Sequence, residues 1–422
     1  METRHTFFTH CICALLVILA LIFLMPPCCR AQSTLSLQEA VNKALESRAS
    51  LKAEAQQVSI AQGFEKQAKL IKNPTLQLEN QNLRPGQTYT RDVDTYASLT
   101  QPLDVLGKRK QRIAVADEAV NRTQAGYELT RWRIMQSVRL SYWEARGAQE
   151  KRDLLKATVE NFQKIIDYQS AQLSVGVISE QDLLRVRLEG ERLKIAANLA
   201  VIQATRARVQ LLKEMGQIDF SEVVLTEPLD ASTLAIEPID IRQVLTQRIE
   251  MKVANAAVEE ARAKSRLQDV SARPDLNILY GYKRTQLVDS TSGVNTATAG
   301  LQITLPITDR NQGNRAAASA EVRRQQQLLA ATEAEVRADY FGALQEYQLR
   351  HIEVVETLQP LREHARTISE ITQAAYAQGG MDLLRLLDAE RARLDGELAY
   401  VQGMTEYQQG ISNLQAAEGV AP

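Results

Sequence analysis

The body of this chain lacks cysteine and is poor in aromatic residues, proline and glycine. All four cysteines, Cys11, Cys13, Cys28 and Cys29, lie before Arg30, which excludes a disulfide framework for the rest of the chain. Aromatic residues make up 5% of the 422 residues, and there are 19 glycines and 11 prolines. This composition is typical of long helices and argues against two or three ordinary globular domains.

A surplus of one charge is also missing, as are the residue groups of most active sites. The formal net charge is −1, and the interspersed charges of both signs indicate solvated helix faces and exclude a basic surface for nucleic acid. After the N-terminal segment the histidines are His351 and His364, which fall on different faces of one predicted helix without a cysteine to join them. Neither belongs to a Ser-His-Asp or Cys-His arrangement, and Gly107-Lys108-Arg109 lacks the spacing of a phosphate-binding loop. We therefore predict no metal site, no cofactor and no enzyme activity.

Long apolar runs are confined to the N-terminus. The run over 11–25 is about 15 residues long, which is short for a membrane span and typical of a signal peptide. We predict a signal peptide over 1–31 with cleavage after Ala31. An uncleaved anchor helix and lipidation at Cys28 or Cys29 are the alternatives. No later run is long enough to span a membrane as a helix, so the mature chain is expected to be exported.

A long helical hairpin over 107–215 dominates the first half, residues 32–215. No proline interrupts it, and Leu155 and Phe162 stand seven residues apart, as in a coiled coil. A turn around Gly176 separates a helix of about 100 Å from a return helix. The return helix is expected to pack through a heptad seam of Leu188, Ile195, Ile202 and Val209.

Short helices over 35–72 and a β-hairpin over 75–102 precede the long helices. The first helix is expected to open at Leu35. In the hairpin, apolar and polar residues alternate on both sides of a turn predicted at 84–86, which gives the hairpin one apolar face and one polar face. Pro102 is expected to end the second strand.

The second half repeats the first at an offset of 200 residues, after a connector over 216–238. Arg48-Ala49-Ser50-Leu51-Lys52 is echoed by Arg248-Ile249-Glu250-Met251-Lys252, and Asn73-Pro74 by Arg273-Pro274. Residues 239–422 are therefore predicted to form short helices over 239–272, a β-hairpin over 275–307 and a helical hairpin over 312–418. Its first helix is expected to run unbroken from about Gly313 to Ala377. The return helix carries a seam of Leu387, Leu394 and Val401.

Each half thus contributes two strands of about ten residues, the length at which a tilted strand crosses a bilayer. Four strands cannot close a barrel, and an open sheet edge in lipid leaves backbone groups without hydrogen bonds. Several chains are therefore expected to share one barrel with an apolar outside and a wet interior. The alternative is a soluble periplasmic coiled-coil scaffold with two small surface hairpins.

The duplicated halves, the strands before each long helix and two tip sequences carry a resemblance to a known family. The tips read Gly176-Val177-Ile178-Ser179-Glu180-Gln181-Asp182-Leu183-Leu184 and Tyr376-Ala377-Gln378-Gly379-Gly380-Met381-Asp382-Leu383-Leu384. Over essentially the whole mature chain, the protein resembles the TolC-type outer membrane efflux proteins. The tips are most similar to the heavy-metal (cobalt-zinc-cadmium) branch.

The resemblance implies a fold that is mainly α with a small β part. Three chains would form a twelve-stranded outer membrane β-barrel, continued by a periplasmic α-helical barrel. It also implies a passive exit duct of a tripartite efflux system, whose partners are a periplasmic adaptor, an inner membrane pump and outer membrane lipid. Heavy-metal cations are the implied cargo, and a drug or a polypeptide is the alternative.

The resemblance places a periplasmic gate at the tips. Tyr376 and Asp182 match two positions that are hydrogen-bonded in the closed state of the family, where such a bond would contribute about 1 to 2 kcal/mol. The alternative role of Asp182, shared with Ser179, is to cap the return helix.

Charged residues near the second tip match a selectivity ring of the resembled family. Asp388 stands at one ring position, whereas Arg385 occupies the other and departs from the cation-selective pattern. Asp382 either substitutes for that position or caps its helix.

The glycines of the tips, Gly176, Gly379 and Gly380, are interpreted as left-handed turn residues. Asp182 follows the first tip glycine by six residues and Asp382 follows Gly379 by three. The two tips are therefore expected to differ and to offer an adaptor two kinds of groove.

Overall fold

The computed structural model describes residues 33–83, 85, 93–230, 236–285 and 293–420. The predicted signal peptide lies outside this part of the chain, as do two of the three residues of the turn predicted at 84–86.

In the described residues, each half has short helices, one β-hairpin and one long helical hairpin, and the first half also begins with a short strand. The first half contains β1 (Ser33–Leu35), α1 (Leu37–Ser47), α2 (Ala49–Lys69), β2 (Thr75–Gln81), β3 (Asp94–Leu103), α3 (Lys108–Ser174) and α4 (Glu180–Glu214). After β4 (Val223–Leu225), the second half contains α5 (Ile241–Gln247), α6 (Ile249–Ser271), β5 (Asp275–Thr285), β6 (Val294–Thr304), α7 (Gln312–Ile352), a π-helical segment (Glu353–Leu358), α8 (Gln359–Ala377) and α9 (Leu383–Glu418).

A short strand stands where the sequence predicted the first helix to open. The strand β1 pairs in parallel with β4, and Leu35 is buried within it. Helix α1 begins after Ser36, whose hydroxyl accepts a hydrogen bond from the backbone N–H of Glu39 at 3.3 Å, while the Glu39 carboxylate accepts one from the Ser36 N–H at 3.0 Å. This reciprocal capping box fixes the helix start, so the predicted opening at Leu35 is wrong.

The two β-hairpins join into one antiparallel sheet with the strand order β2-β3-β5-β6. The strand β3 extends through Pro102, so the prediction that this proline ends the strand is wrong. Pro102 lies opposite Asn277 of β5, whereas the pairing of β3 with β2 already stops where Thr100 lies opposite Thr75. Because no β2 residue lies opposite Pro102, its missing N–H breaks no ladder bond on that side.

The sheet has an apolar face and a polar face. On the apolar face, side chains form rows across the strands: Leu76, Leu99, Tyr280 and Ala299 in one row, and Leu78, Ala97, Tyr282 and Ala297 in the next. The large side chains of both rows are exposed in the chain. On the polar face, the Nζ of Lys283 lies 3.2 Å from an Asp94 carboxylate oxygen and 4.9 Å from the centre of the Tyr96 ring. The alternation of side chains along each strand produces both faces.

The α4 packing face differs from the predicted one. Helix α3 has 67 residues, about 100 Å, and buries Leu155 and Phe162 as predicted. On α4, however, Leu188 and Ile195 of the predicted seam are 57% and 61% exposed. The residues that α4 buries in the chain lie on another face, namely Leu183, Val186, Ala200, Ala204 and Leu211. A heptad stripe indicates a packing surface but does not identify the helix that packs against it. The prediction that α4 packs through this seam is wrong within the single chain. In the described helices no stretch is apolar and long enough to span a membrane.

The helix predicted over 313–377 is interrupted. α7 ends at Ile352, six residues of π-helix follow, and α8 starts at Gln359 with Pro360 in its first turn. Proline has no N–H to give to the preceding turn and its ring crowds that turn, so the hydrogen-bond ladder changes register just before it. The predicted seam residues of α9, namely Leu387, Leu394 and Val401, are buried.

Equivalent contacts recur in the two halves where the short helices meet the long ones. The Tyr142 hydroxyl donates to the Leu35 carbonyl at 2.9 Å, and the Tyr340 hydroxyl donates to the Ile239 carbonyl at 2.7 Å. Both acceptors directly precede the N-cap of a short helix.

The echoed arginines also have equivalent surroundings. Arg48 donates to a backbone carbonyl in the last turn of α4 at 2.8 Å, and Arg248 to one in the last turn of α9 at 3.2 Å. A Cβ on Gly216 would lie 3.1 Å from the Arg48 Cα, and one on Gly419 would lie 3.1 Å from the Arg248 N. The base of each long helical hairpin therefore contacts a short helix through an equivalent arginine hydrogen bond and an equivalent closely packed glycine.

Candidate functional site

The two tip turns share one backbone arrangement. Gly176 and Gly379 have φ angles of 75° and 74°, and each donates its N–H back to a carbonyl of the preceding helix at 3.0 Å. The next residues, Val177 and Gly380, donate to a carbonyl one position earlier, at 3.0 and 2.9 Å. These are paired bonds of the Schellman type, which need a left-handed residue at the first glycine. Gly380 does not have a left-handed φ, so that part of the prediction is wrong.

The return helices also start alike. Ser179 caps α4 by accepting a hydrogen bond from the Asp182 N–H at 3.2 Å, and Asp382 caps α9 by accepting one from the Arg385 N–H at 2.9 Å. Each cap lies three residues after its left-handed glycine. The comparison of Asp182 with Asp382 is therefore wrong, and the spacing from the left-handed glycine to the cap is the same in both tips. Asp182 corresponds to Arg385, so the tips share a backbone but carry opposite charges at this position.

Asp182 and Tyr376 do not bond to each other in the described part of the chain. The Asp182 carboxylate accepts from the Ser179 hydroxyl at 2.7 Å, and the Tyr376 hydroxyl accepts from the Gln169 amide at 2.6 Å. Both residues nevertheless line the same small cavity. The hydrogen bond between the two hairpins at this height is therefore the one from α3 to α8.

The remaining charged residues of the second tip face solvent. Asp382, Arg385 and Asp388 are all exposed. The Arg385 Nε lies 4.0 Å from an Asp382 oxygen, and Asp388 lies 3.7 Å from an Arg391 nitrogen. These contacts are within one helix and are weak in water. Among the described residues no group of three or more His, Cys, Asp or Glu is arranged to hold a metal ion.

A bidentate ion pair links the return helices α4 and α9 above the tips. The Nε and Nη2 of Arg391 on α9 donate to the two carboxylate oxygens of Glu189 on α4, at 2.9 and 2.6 Å. The Glu189 side chain is 11% exposed, and the guanidinium of Arg391 lowers the pKa of Glu189 from its ordinary value. Bidentate geometry and partial burial make this contact stronger than an ordinary surface pair.

Further polar links join α8 to α9. Glu397 is buried and receives hydrogen bonds from Arg362, at 2.8 Å, and from Arg366. Two turns closer to the tip, Glu390 accepts from the Ser369 hydroxyl at 2.6 Å. The lower part of the second hairpin is therefore fixed by charged side chains within its apolar packing.

In the described part of the chain, cavities lie between the hairpins at two heights. The upper cavity, of about 930 Å³, is lined by α3, α4, α8 and α9 and includes Glu189 and Arg391 in its wall. The lower cavity, of about 340 Å³, reaches the tips and is lined by Asp182 and Asp382 among others. Gln169 and Tyr376 line both, so their hydrogen bond lies at the boundary between the cavities.

Gln169, Glu189 and Arg391 were not among the site residues predicted from the sequence. A signal for the first two was present. Gln169 follows Phe162 by seven residues and Glu189 follows Val186 by three, so each polar residue continues an apolar helical stripe. A polar residue on such a stripe is buried when the stripe packs, and it then needs a partner. Arg391 gave no comparable signal in the sequence. It lies at an exposed position of its helix, and its long side chain reaches Glu189 from there.

Comparison with known proteins follows the same two halves. The family described as outer membrane efflux protein matches the chain twice, over residues 40–217 and 241–420. The cobalt-zinc-cadmium resistance protein CzcC of Cupriavidus metallidurans is 25% identical over 363 residues, which cover 86% of this chain and 84% of that protein.

Solved structures share the fold. The crystal structure of CusC superposes with a TM-score of 0.75 at 18% identity, covering 91% of this chain and 92% of that chain. The open state of the Neisseria gonorrhoeae outer membrane channel MtrE gives a TM-score of 0.74 at 18% identity, with coverage of 91% and 89%.

A sheet with an apolar face set on long helical hairpins is the architecture that this chain shares with the solved outer membrane channels. The chain belongs to the outer membrane efflux protein family. It is an outer membrane protein with a periplasmic helical domain, and its fold class is the mainly α, TolC-type fold expected from the sequence.

Proposed function

We propose that this chain forms, as a homotrimer, the passive exit duct of a tripartite efflux system that exports heavy-metal cations. A periplasmic adaptor and an inner membrane pump are its proposed partners. The observation that carries the proposal is the four-stranded sheet, which has an exposed apolar face and ends at the outer strands β2 and β6 in the described part of the chain.

The sheet supports assembly with further copies. Among the described residues, the strands β2 and β6 each have one strand neighbour. In lipid, an unpaired strand edge leaves backbone N–H and C=O groups without partners, at a cost of several kcal/mol each. Pairing the β2 edge of one copy with the β6 edge of the next would remove both edges. Three copies would then close the twelve-stranded barrel that the family resemblance implies.

The helices support the same assembly. One exposed apolar stripe lies on α4, and its members are Leu184, Leu188, Ile195, Leu199 and Ile202. Another lies on α7 and α8, with Leu349, Ile352, Leu361, Ile368 and Ile371. These stripes are on different hairpins, so stacking one against the other between neighbouring copies would form a ring and bury both.

The tips support a gate. The bonds from Arg391 to Glu189 and from Gln169 to Tyr376 hold the two hairpins together. We propose that they act with the tip residues Asp182, Asp382, Arg385 and Asp388 to keep the inner end closed until a partner separates the hairpins. The turns at Gly176, Gly379 and Gly380 would be the adaptor contacts.

The proposed cargo follows from the relative CzcC, which is named for resistance to cobalt, zinc and cadmium. Metal selectivity would then lie mostly in the adaptor and the pump. Radioactive zinc retained by cells that express the pump and adaptor, with and without this chain, tests the cargo. We expect less retained zinc with the chain present. Unchanged zinc retention together with increased drug export would replace the metal by a drug.

Two lysine substitutions on neighbouring residues of β2 test the barrel. Leu78→Lys places a charge on the apolar face, whereas Gln77→Lys places it on the polar face. A lysine facing lipid near the bilayer centre costs about 2–4 kcal/mol. We expect Leu78→Lys to reduce the oligomer that survives mild detergent electrophoresis and Gln77→Lys to leave it intact. Equal behaviour of the two variants, or a soluble wild-type monomer, would contradict the duct.

A further inference from the structure

The upper cavity has the size and the lining of a ligand site. Its volume of about 930 Å³ falls within the range of small-molecule pockets, about 300–1,000 Å³. Both hairpins contribute apolar walls, formed by Phe162, Ile165, Leu193, Leu386, Leu387 and Leu394.

One wall residue has an unmet hydrogen-bonding requirement. The Gln169 side chain is 0% exposed, and its amide nitrogen donates to Tyr376. Its amide oxygen is buried and has no hydrogen-bond partner in the described chain. Burying such an oxygen without a partner is unfavourable, so a donor delivered into the cavity would gain a bond there.

The charge of the wall favours a cationic donor. Four carboxylates line the cavity together with three cationic side chains, and these are Glu189, Glu370, Glu390 and Asp395 against Lys164, Arg391 and Arg393. Two of the carboxylates already have an arginine partner, Glu189 with Arg391 and Glu390 with Arg393. The remaining excess is negative and would attract an ammonium group.

We infer that the upper cavity binds a small molecule with an apolar ring and one hydrogen-bond donor, preferably an ammonium group, that reaches the amide oxygen of Gln169. The ligand touches α3 and α4 on one side and α8 and α9 on the other. Because it binds the arrangement in which the hairpins are together, it stabilises that arrangement against separation.

Three probes of nearly the same shape test the donor. Binding of 1-naphthylmethylamine, 1-naphthalenemethanol and 1-methylnaphthalene to the purified protein in detergent is measured by fluorescence titration. One hydrogen bond changes affinity by up to about tenfold. We expect the amine to bind most tightly, the alcohol next and the methyl compound about tenfold more weakly than the amine. Equal affinities, or no saturable binding, would overturn the site.

Matched variants locate the binding. Gln169→Leu should remove the advantage of the amine, whereas Tyr376→Phe should keep it, since both variants lose the bond between the hairpins but only the first loses the amide oxygen. Ile165→Trp places a bulky indole ring in the apolar wall where the probe's ring would lie, and it should abolish saturable binding. Ile60→Trp, at an exposed position of α2, should leave probe binding unchanged. This variant is the control for uptake of the probe by the detergent. Binding that survives Ile165→Trp would place the probe elsewhere.

The consequence for opening rests on the proposed gate, but the binding does not. In planar bilayers the amine should lower the conductance of the wild type and leave that of Ile165→Trp unchanged. Saturable binding without any change in conductance would keep the site and reject its coupling to the gate. A protein that conducts under no condition would contradict the proposed duct and leave the titration valid.

Discussion

Glu189 and Arg391 are 202 residues apart in sequence and form two parallel hydrogen bonds between the return helices of the two halves. Glu189 is largely shielded from water, whereas the Arg391 side chain is 46% exposed. The pair is therefore partly screened, and we expect it to contribute about 1–2 kcal/mol, less than a fully buried pair. A contribution of this size can bias a closed state and still be overcome by a binding partner.

Reversing the charges of this pair tests its role in closing the duct. Glu189→Arg and Arg391→Glu each place two like charges together, so each should favour separated hairpins and raise the single-channel open probability about tenfold. The double variant restores an opposite-charge pair and should return the open probability towards that of the wild type. Single variants that conduct like the wild type, or a double variant as open as the singles, would show that the pair does not restrain opening.

A close approach between α3 and α9 at Gly147 gives a prediction about stability. A Cβ on Gly147 would lie 2.1 Å from the Thr405 hydroxyl oxygen and 3.0 Å from the Thr405 Cβ. Gly147→Ala must therefore push the helices apart, which typically costs about 1–3 kcal/mol. We expect a lower thermal unfolding midpoint by circular dichroism.

The same helix provides a matched control for that substitution. Gly126 has no neighbour within 4 Å of an added Cβ, so Gly126→Ala should raise stability by up to about 1 kcal/mol through helix propensity. Combining Gly147→Ala with Thr405→Ala should recover part of the loss. If Gly147→Ala and Gly126→Ala changed the unfolding midpoint equally, the close approach at Gly147 would not affect stability.

The capping residue of α9 can be exchanged for that of α4. Because Ser179 and Asp382 occupy equivalent positions, Asp382→Ser should preserve the cap, whereas Asp382→Ala should lose it and weaken the helix end by about 1 kcal/mol. Hydrogen exchange of the first turn of α9 is the measurement. Faster exchange is expected with alanine only, and equally fast exchange with serine would mean that the carboxylate charge is what matters.

Much of the fold followed from local patterns. The alternation of apolar and polar residues predicted the strands, and the absence of proline predicted the long helices. Repeated segments such as those at Arg48 and Arg248 predicted the duplication. The misassigned α4 seam had a different cause. Leu188 and Ile195 do form a stripe, but which helix covers a stripe depends on three-dimensional arrangement, and within one chain α4 offers another face to α3.

The site was less predictable because its contacts cross between the halves. Glu189 and Gln169 could have been suspected from their places on apolar stripes, but their partners lie 202 and 207 residues away. Periodicity is a local signal and does not reveal such distant pairs. The error about the spacing of the helix caps had a different cause, because Ser179 had already been considered as a capping residue. Aligning the two tips by their aspartates instead of by their caps led to the wrong comparison.

Glu418 gives a pH-dependent prediction. Its side chain is buried at the end of α9, one carboxylate oxygen has no hydrogen-bond partner in the described chain, and burial raises its pKa above the ordinary value. A raised pKa in the folded state means that the protonated form favours folding, so this contribution is full below the unfolded-state pKa and is lost as pH rises through the folded-state pKa. Glu418→Gln should therefore raise the thermal midpoint at pH 7 to 8. The gain should shrink as the pH falls through the raised pKa of Glu418, because protonation then removes the buried charge of the wild type. Glu335→Gln, at an exposed position of α7, serves as the control. A Glu418→Gln gain that is the same above and below that pKa would exclude the buried charge as its cause.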